Sequence, residues 1–229
     1  MLIFQTQAVT DSKTWQKLDR SRTVDAKSGI LPPKVARMML NLVQITQTDS
    51  LTILDPFCGT GGILTQALIL RNNCIGIDND LKAIAISKFN LENINTENQY
   101  SLIHGDSTKI GSDKLTPSSI DAIVTEGYLG PSHPVSQEEF PDLLKQLADL
   151  HLKALHNLQP YLKPNAQVVI ALPKYNHPAS VKSLSNLIDT CENRGYTRLA
   201  GPLLYSQPSA RVKRAIYILK NNSTSHVKS

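Results

Sequence analysis

Two short stretches of this 229-residue chain combine residue types and spacings that could do chemistry. The first, Leu51 to Leu64, runs from a β-rich apolar segment (Thr52, Ile53, Leu54) into a carboxylate, Asp55, and then a loop with glycines at 59, 61 and 62. An apolar segment of helical character follows. Glycines let a backbone approach a ligand closely, and a helix start offers unpaired N–H groups. Strand, acid, glycine loop and helix in that order therefore make a nucleotide-type site. Leu64 stands where a dinucleotide GxGxxG fingerprint needs its last glycine, and no lysine follows the glycines as a P-loop requires. The second stretch, Thr125-Glu126-Gly127-Tyr128, sets a carboxylate and an aromatic ring just after another apolar run. Asp78 and Asp106 also close β-type runs, so Asp55, Asp78 and Asp106 form a series of strand-end acids. A carboxylate ending the second strand, about 20 residues past a glycine loop, can accept hydrogen bonds from both hydroxyls of a ribose.

The elements that must position these residues can be read from the pattern. Pro32 and Pro33 punctuate a turn, with Pro33 suited to the first turn of a helix. Val35, Met38, Met39, Leu42 and Val43 then keep helical spacing, which predicts a helix over 30–46. Cys74 to Asp78 reads as a second strand, with Asp80 placed to cap the helix after it. A third strand ends before Gly105-Asp106-Ser107, and a fourth spans Asp121 to Glu126. A long amphipathic helix is expected over 137–160, with His151 on its apolar face as a helix-face or partly buried residue. The run NAQVVIALP predicts a central strand buried on both faces. A helix stopped by Gly195 follows, and 196–220 should form an antiparallel hairpin. Strands alternating with helices imply a mainly parallel α/β sheet with ligands at the strand C-termini.

The bulk numbers bound the rest. Hydrophobic content of 41% with 19% charged residues is ordinary for a globular chain, and the length suits one sizeable domain. No apolar run approaches the ~20 residues of a membrane span. The first residues lack a basic leader with an apolar core, so no signal peptide is expected. Cys58, Cys74 and Cys191 are widely spaced, which predicts reduced thiols in a cytoplasmic protein and no metal site. Twenty-four Lys and Arg against 19 Asp and Glu give a net charge of +5, mildly favouring a polyanionic partner.

The string DPFCGTGGIL (Asp55–Leu64) resembles motif I of the class I S-adenosylmethionine (SAM)-dependent methyltransferases. In particular it resembles the RNA methylases that write DPFCGSGT or DPFCGTGG, among them the tRNA guanine-N2 (guanosine-10) methyltransferases. The resemblance implies a Rossmann-like fold, with a seven-stranded, mainly parallel sheet and a C-terminal antiparallel hairpin. It implies SAM held by Asp55, Pro56, Phe57, Cys58, Gly59, Thr60 and Gly61, with Asp78 and Asn79 at the ribose and Asp106 and Ser107 at the adenine. The segment GILPPKVA is similar to a GxLxPKLA string that lies beside the cofactor in these relatives, which leaves Lys34 and the loop at Gly29 as substrate-side candidates.

Amino-methylating members usually carry a (D/N/S)PP(Y/F) tetrad after the fourth strand. Its polar side chain and a backbone carbonyl hold the amine, and its ring stacks on the base. Here Tyr128 falls at the ring position and Gly130 matches the glycine of the DPPYG form, while Thr125 stands where the acid belongs and both prolines are missing. Glu126, Thr125 or the backbone would then be the acceptor. The implied activity is SAM-dependent N-methylation of an exocyclic amine, guanine N2 in tRNA. The alternatives are adenine N6 in DNA or RNA, and a non-catalytic SAM- or RNA-binding subunit. The relatives carry an RNA-capturing domain ahead of the catalytic one. With an N-terminal extension at 1–28, a methyltransferase domain at 29–220 and a polar tail at 221–229, the chain would rely on its own basic surface or on a partner protein. Arg211, Lys213 and Arg214 could contact phosphates, or be solvated charges beside an edge strand.

Overall fold

The computed structural model describes residues 31–43, 50–94, 96–131, 133, 135–206, 210 and 212–223. Seven strands form one sheet: β1 (Thr52–Asp55), β2 (Asn73–Asp78), β3 (Tyr100–His104), β4 (Ile120–Glu126), β5 (Leu162–Tyr175), β6 (Tyr196–Tyr205) and β7 (Val212–Asn221). Their order is β3-β2-β1-β4-β5-β7-β6. The strands β1 to β5 pair in parallel, and β7 runs antiparallel to both β5 and β6. The mainly parallel sheet and the closing antiparallel hairpin are thus as the sequence predicted. Among the described residues five α-helices cover the sheet: α1 (Pro33–Asn41), α2 (Gly62–Ile69), α3 (Leu81–Glu92), α4 (Phe140–Leu158) and α5 (Pro178–Asn193).

Parallel strands in the middle of such a sheet are covered on both faces, so they must be apolar throughout. The strand β4 is buried at every residue but its last, and β5 is buried from Ala166 to Pro173. One core layer joins α1 and α2 to Ile53, Val124, Val169 and Ile216. The opposite layer joins α4 and α5 to Leu54, Ile123, Ile170 and Tyr217. Successive residues of one strand thus alternate between the two cores, as the pleat requires.

Several boundaries differ from the pattern for identifiable reasons. The first helix begins at Pro33 and ends at Asn41, with Leu42 and Val43 closing a turn on the carbonyls of Met38, Met39 and Leu40. It is therefore shorter than the 30–46 expected; residues 44–49 lie outside the described residues, as do 1–30. The helix α4 starts at Phe140 rather than 137. Ser136 and Glu139 form a reciprocal capping box ahead of it, the Glu139 N–H donating to Ser136 Oγ at 3.2 Å and the Ser136 N–H to Glu139 Oε2 at 3.3 Å. The strand β5 starts three residues earlier than predicted. Asn165 adopts a positive φ of 65°, and the pairing with β4 shifts register between Ile120 and Ala122, which accommodates Lys163–Asn165 as an irregular start. Lys163 Nζ reaches the Asp121 carboxylate at 2.7 Å there. Among the described residues no helix is long and apolar enough to cross a membrane.

Ile170 lies in the middle of β5 and is 1% exposed. Ile170→Ala should cost about 2–5 kcal/mol, the usual range for emptying a tightly packed core position. Urea denaturation of the two proteins at one pH measures it.

Candidate active site

The site forms where β1, β2, β3 and β4 end together. Asp55, the last residue of β1, is 2% exposed. Its Oδ1 accepts the Thr125 hydroxyl at 2.7 Å and the Phe57 N–H at 3.2 Å, tying the end of β4 and the start of the glycine loop to one carboxylate. Burial pushes the Asp55 carboxyl up to about 7, opposed by those two hydrogen bonds and reinforced by the neighbouring charges of Asp78 and Glu126. Thr125 is fully buried, with its hydroxyl committed to Asp55. It fixes the geometry beneath the site and does not face a substrate, contrary to its sequence-based candidacy as an acceptor.

The loop from Pro56 to Gly61 is stitched down from several sides. The Cys58 N–H donates to the Ile77 carbonyl at 2.9 Å, and the Gly59 N–H donates to Asp78 Oδ2 at 2.8 Å. Asn90 Nδ2 on α3 donates to the Thr60 carbonyl at 2.9 Å, and the buried Ser107 hydroxyl donates to the Pro56 carbonyl. Gly59 has a φ of 50°, and a Cβ there would meet nothing within 4 Å. The loop therefore shows bare backbone to open space beside the first turn of α2. Cys58 is buried, and burial raises its thiol far above the usual range, so it is no nucleophile at neutral pH.

The other strand-end acids differ from one another. Asp78 holds two backbone N–H groups, that of Gly59 on Oδ2 and that of Asp80 at 2.9 Å on Oδ1, and each oxygen keeps a further lone pair. Asp80 caps α3, accepting the Lys82 N–H at 2.8 Å. Asn79 is exposed, and its carbonyl lies 3.1 Å from a His104 ring nitrogen. Asp106 accepts the Thr108 N–H at 2.9 Å and the Thr108 hydroxyl at 2.7 Å, with Lys109 Nζ 3.5 Å away. The Thr108 hydrogen bonds hold its carboxyl below the usual range. Ser107, by contrast, has its side chain turned inward.

The loop after β4 brings a different set together. Glu126 forms a two-pronged ion pair with Arg214, Arg214 Nε to Glu126 Oε1 and Nη2 to Oε2, the latter at 3.1 Å. Burial pushes the Glu126 carboxyl up and Arg214 pulls it back. Arg214 sits on β7, and the pair reaches across the intervening strand β5. Its guanidinium also lies 6.0 Å from the Tyr205 ring centre. Arg214 is 8% exposed, so it is not the surface phosphate contact suggested by its neighbours in sequence. Lys213 is exposed, and Arg211 lies outside the described residues. Tyr128 is 53% exposed, an aromatic face open to a ligand. Lys34 lies exposed on the first turn of α1.

Three residues that sequence pattern did not bring to the site shape this loop. His151 of α4 is 1% exposed, with Nδ1 hydrogen-bonded to the Leu147 carbonyl one turn back and its ring 5.7 Å from Phe57. Burial lowers its pKa to about 4, so the ring is neutral, and its Nε2 points at Gly127. A Cβ at Gly127 would lie 1.9 Å from that nitrogen, so the second proline of the usual tetrad, which would fall at Gly127, has no room there. Tyr175 donates its hydroxyl to the Leu129 carbonyl at 2.7 Å. It also lies where a Cβ on Gly130, whose φ is 95°, would fall. Arg214 is the third. The apolar stripe Leu144, Leu147, His151, Leu155 was legible, but not that it met Gly127; nothing local in VKRAIY distinguishes Arg214 from Lys213.

A parallel sheet in this order, closed by an antiparallel strand and carrying a glycine loop after β1, defines a Rossmann-like methyltransferase fold. Residues 20–199 match the family described as UPF0020, RMKL-like methyltransferase domain, and the chain belongs to that family. The chain is 33% identical over 121 residues to the tRNA (guanine(10)-N2)-dimethyltransferase of Methanothermobacter thermautotrophicus, covering 53% of this chain and 34% of that protein. It is 29% identical over 192 residues to the enzyme of the same name from Pyrococcus abyssi, covering 83% of this chain and 50% of that one. The chain thus spans between a third and a half of these relatives' length. A Methanosarcina mazei structure described as a SAM-dependent methyltransferase superposes with a TM-score of 0.60 at 14% identity, covering 86% of this chain and all of that one.

Gly127→Ala should destabilise the fold by about 1–3 kcal/mol through overpacking against His151. Adding His151→Ala to that background removes the obstacle, so the double variant should lose less than the sum of the two single losses. A double-mutant cycle by chemical denaturation measures that coupling.

Proposed function

We propose that this chain is a SAM-dependent N-methyltransferase that acts on the exocyclic amine of a nucleobase, guanine N2 in tRNA. The observation that carries the proposal is the joining, at one sheet edge, of a ligand cradle (Asp55, the Gly59 loop, Asp78) with an exposed ring and a carboxylate (Tyr128, Glu126). The cradle fits SAM. Asp78 keeps lone pairs for ribose hydroxyls, Gly59 leaves open space for a close approach, and Asp55 is a carboxyl that a cationic ligand would ionise. Asp106 and the backbone around it would meet the adenine.

When bound, SAM supplies an electrophilic methyl group on a sulfonium. The chain's part is alignment and electrostatic support. Tyr128 would stack on the target base, and Glu126 would accept the amine protons. Holding those protons would favour the rehybridised, nucleophilic nitrogen that a methyl donor requires. Glu126 would also be placed to take the proton that the amine must shed. The net positive charge and the exposed Lys34 and Lys213 support a polyanionic substrate. A second possibility, a SAM- or RNA-binding subunit without catalysis, is favoured by one observation, the engagement of Glu126 by Arg214.

Nucleoside mass spectrometry of tRNA from a strain lacking the gene, with and without purified protein and SAM, separates these. The proposal expects N2-methylated guanosine to appear on addition; methylated adenosine would favour the adenine alternative, and no new methylated nucleoside the binding subunit. Asp78→Ala should weaken SAM binding by about 1.5–3 kcal/mol, as for hydrogen bonds to a charged group, and unchanged affinity by calorimetry would remove Asp78 from the ribose. Tyr128→Ala should cost about 1–3 kcal/mol of stacking, lowering activity on RNA while sparing SAM affinity.

The Asp55 carboxyl gives a pH signature. Its folded pKa of about 7 lies above the unfolded one, so the folded chain holds a proton across that window that the unfolded chain has lost. Its contribution to stability therefore falls as pH rises towards 7. A cationic ligand favours the ionised form and expels the proton. SAM should bind up to about tenfold more tightly at pH 8 than at pH 6, with proton release measurable by calorimetry in buffers of different ionisation enthalpy. Asp55→Asn should flatten the profile; an unaltered pH dependence in that variant would assign the titration to another group.

A further inference from the structure

The Glu126–Arg214 pair has a chemical likeness that bears on which base the site accepts. In the pair, Nε–H and Nη2–H of Arg214 stand side by side on one carbon and meet the two oxygens of one carboxylate. The edge of guanine has the same layout, with N1–H and N2–H side by side on C2. Adenine and cytosine offer an amine beside a bare ring nitrogen, and uracil sets its one N–H between two carbonyls. Guanine is therefore the one standard RNA base that can present two parallel donors to a carboxylate.

The placement suits an exchange. Glu126 ends β4 next to Thr125, whose hydroxyl meets Asp55 at 2.7 Å, and Tyr128 stands exposed two residues on. The carboxylate retains about a tenth of its side-chain exposure. Both of its oxygens are held on their outer edge by Arg214, so a base reading that edge must replace the guanidinium rather than join it. Arg214 has a second foothold over the Tyr205 ring and, once released, carries a charge suited to a phosphate.

Resting on the methyltransferase proposal, we infer that Arg214 is a built-in stand-in for the target base. Glu126 reads the N1–H and N2–H of guanine in the place the guanidinium occupies, and Arg214 moves off when guanine enters. Glu126 is then the specificity-determining residue as well as the amine's acceptor. Adenine is refused because its N1 lone pair would face the carboxylate, leaving Arg214 in place.

The test is a side-chain NMR titration of the full chain, ¹⁵N-labelled at arginine, with S-adenosylhomocysteine present. The Arg214 Nε–H resonance, identified by its loss in Arg214→Lys, should shift on adding guanosine 5′-monophosphate. It should stay in place with 2,6-diaminopurine riboside 5′-monophosphate, which keeps the N2 amine but has a bare N1. Glu126→Gln should lower guanosine nucleotide affinity at least tenfold and bring the two nucleotides to parity. Glu126→Asp, which keeps the charge, should retain the preference. Guanosine nucleotide binding with an unmoved resonance, equal binding of both nucleotides to the unaltered protein, or no guanosine nucleotide binding at millimolar concentration would each overturn the inference. The titration reads displacement and not transfer. Displacement without methylation of any RNA would defeat the methyltransferase proposal alone, and methylation without displacement would defeat the stand-in alone.

Discussion

The buried carboxylate of Asp55 is the constraint on which the site depends. An acid at the end of a central parallel strand, cut off from water, stays in place only if its oxygens are hydrogen-bonded. Thr125 and the Phe57 N–H meet that need, and in doing so fasten the tip of β4 and the first turn of the glycine loop to β1. Asp78 anchors the same loop from the other side through Gly59. Two carboxylates thus hold the loop between two strand ends while its glycine backbone stays bare. The penalty of burying Asp55 appears as a carboxyl pushed up to about 7.

A buried ion pair, Glu126 with Arg214, works on the opposite side of β4. A buried ion pair contributes little net stability, because the desolvation of both ions offsets their attraction. Its persistence at the sheet edge is therefore better explained by position than by stability. Arg214 crosses β5 to reach Glu126 and ties the antiparallel strand β7 to the loop carrying Tyr128. The closing hairpin is thereby coupled to the loop after β4. Without the two tetrad prolines, the loop takes its shape from outside. His151 presses on Gly127, and Tyr175 holds Leu129 and crowds Gly130.

This division sets the present loop apart from the proline-containing tetrad that the sequence resemblance implies. A proline-stiffened turn carries its conformation locally, since each ring fixes its own φ. The Thr125–Gly130 loop is instead held by side chains from α4 and the end of β5, residues 20 to 45 or more positions away. The substitution of glycine for proline and the presence of His151 are one packing solution read at two positions.

By itself the sequence determined the local grammar: strands from apolar runs, the glycine loop, the Asp80 cap, and the order of three strand-end acids. It also carried the mainly parallel sheet and its antiparallel close, because alternating strands and helices admit few packings. These are short-range properties of neighbouring residues. The tertiary structure alone decided what the charged and polar side chains do. Thr125 turned inward to Asp55, Ser107 to Pro56, and Arg214 left the basic surface suggested by its neighbours to pair with Glu126. Such partnerships join residues as many as 88 positions apart. No local pattern encodes them, since a hydroxyl or guanidinium has the same sequence signature whether it meets water or a buried carboxylate; only the folded sheet supplies the partner and removes the water.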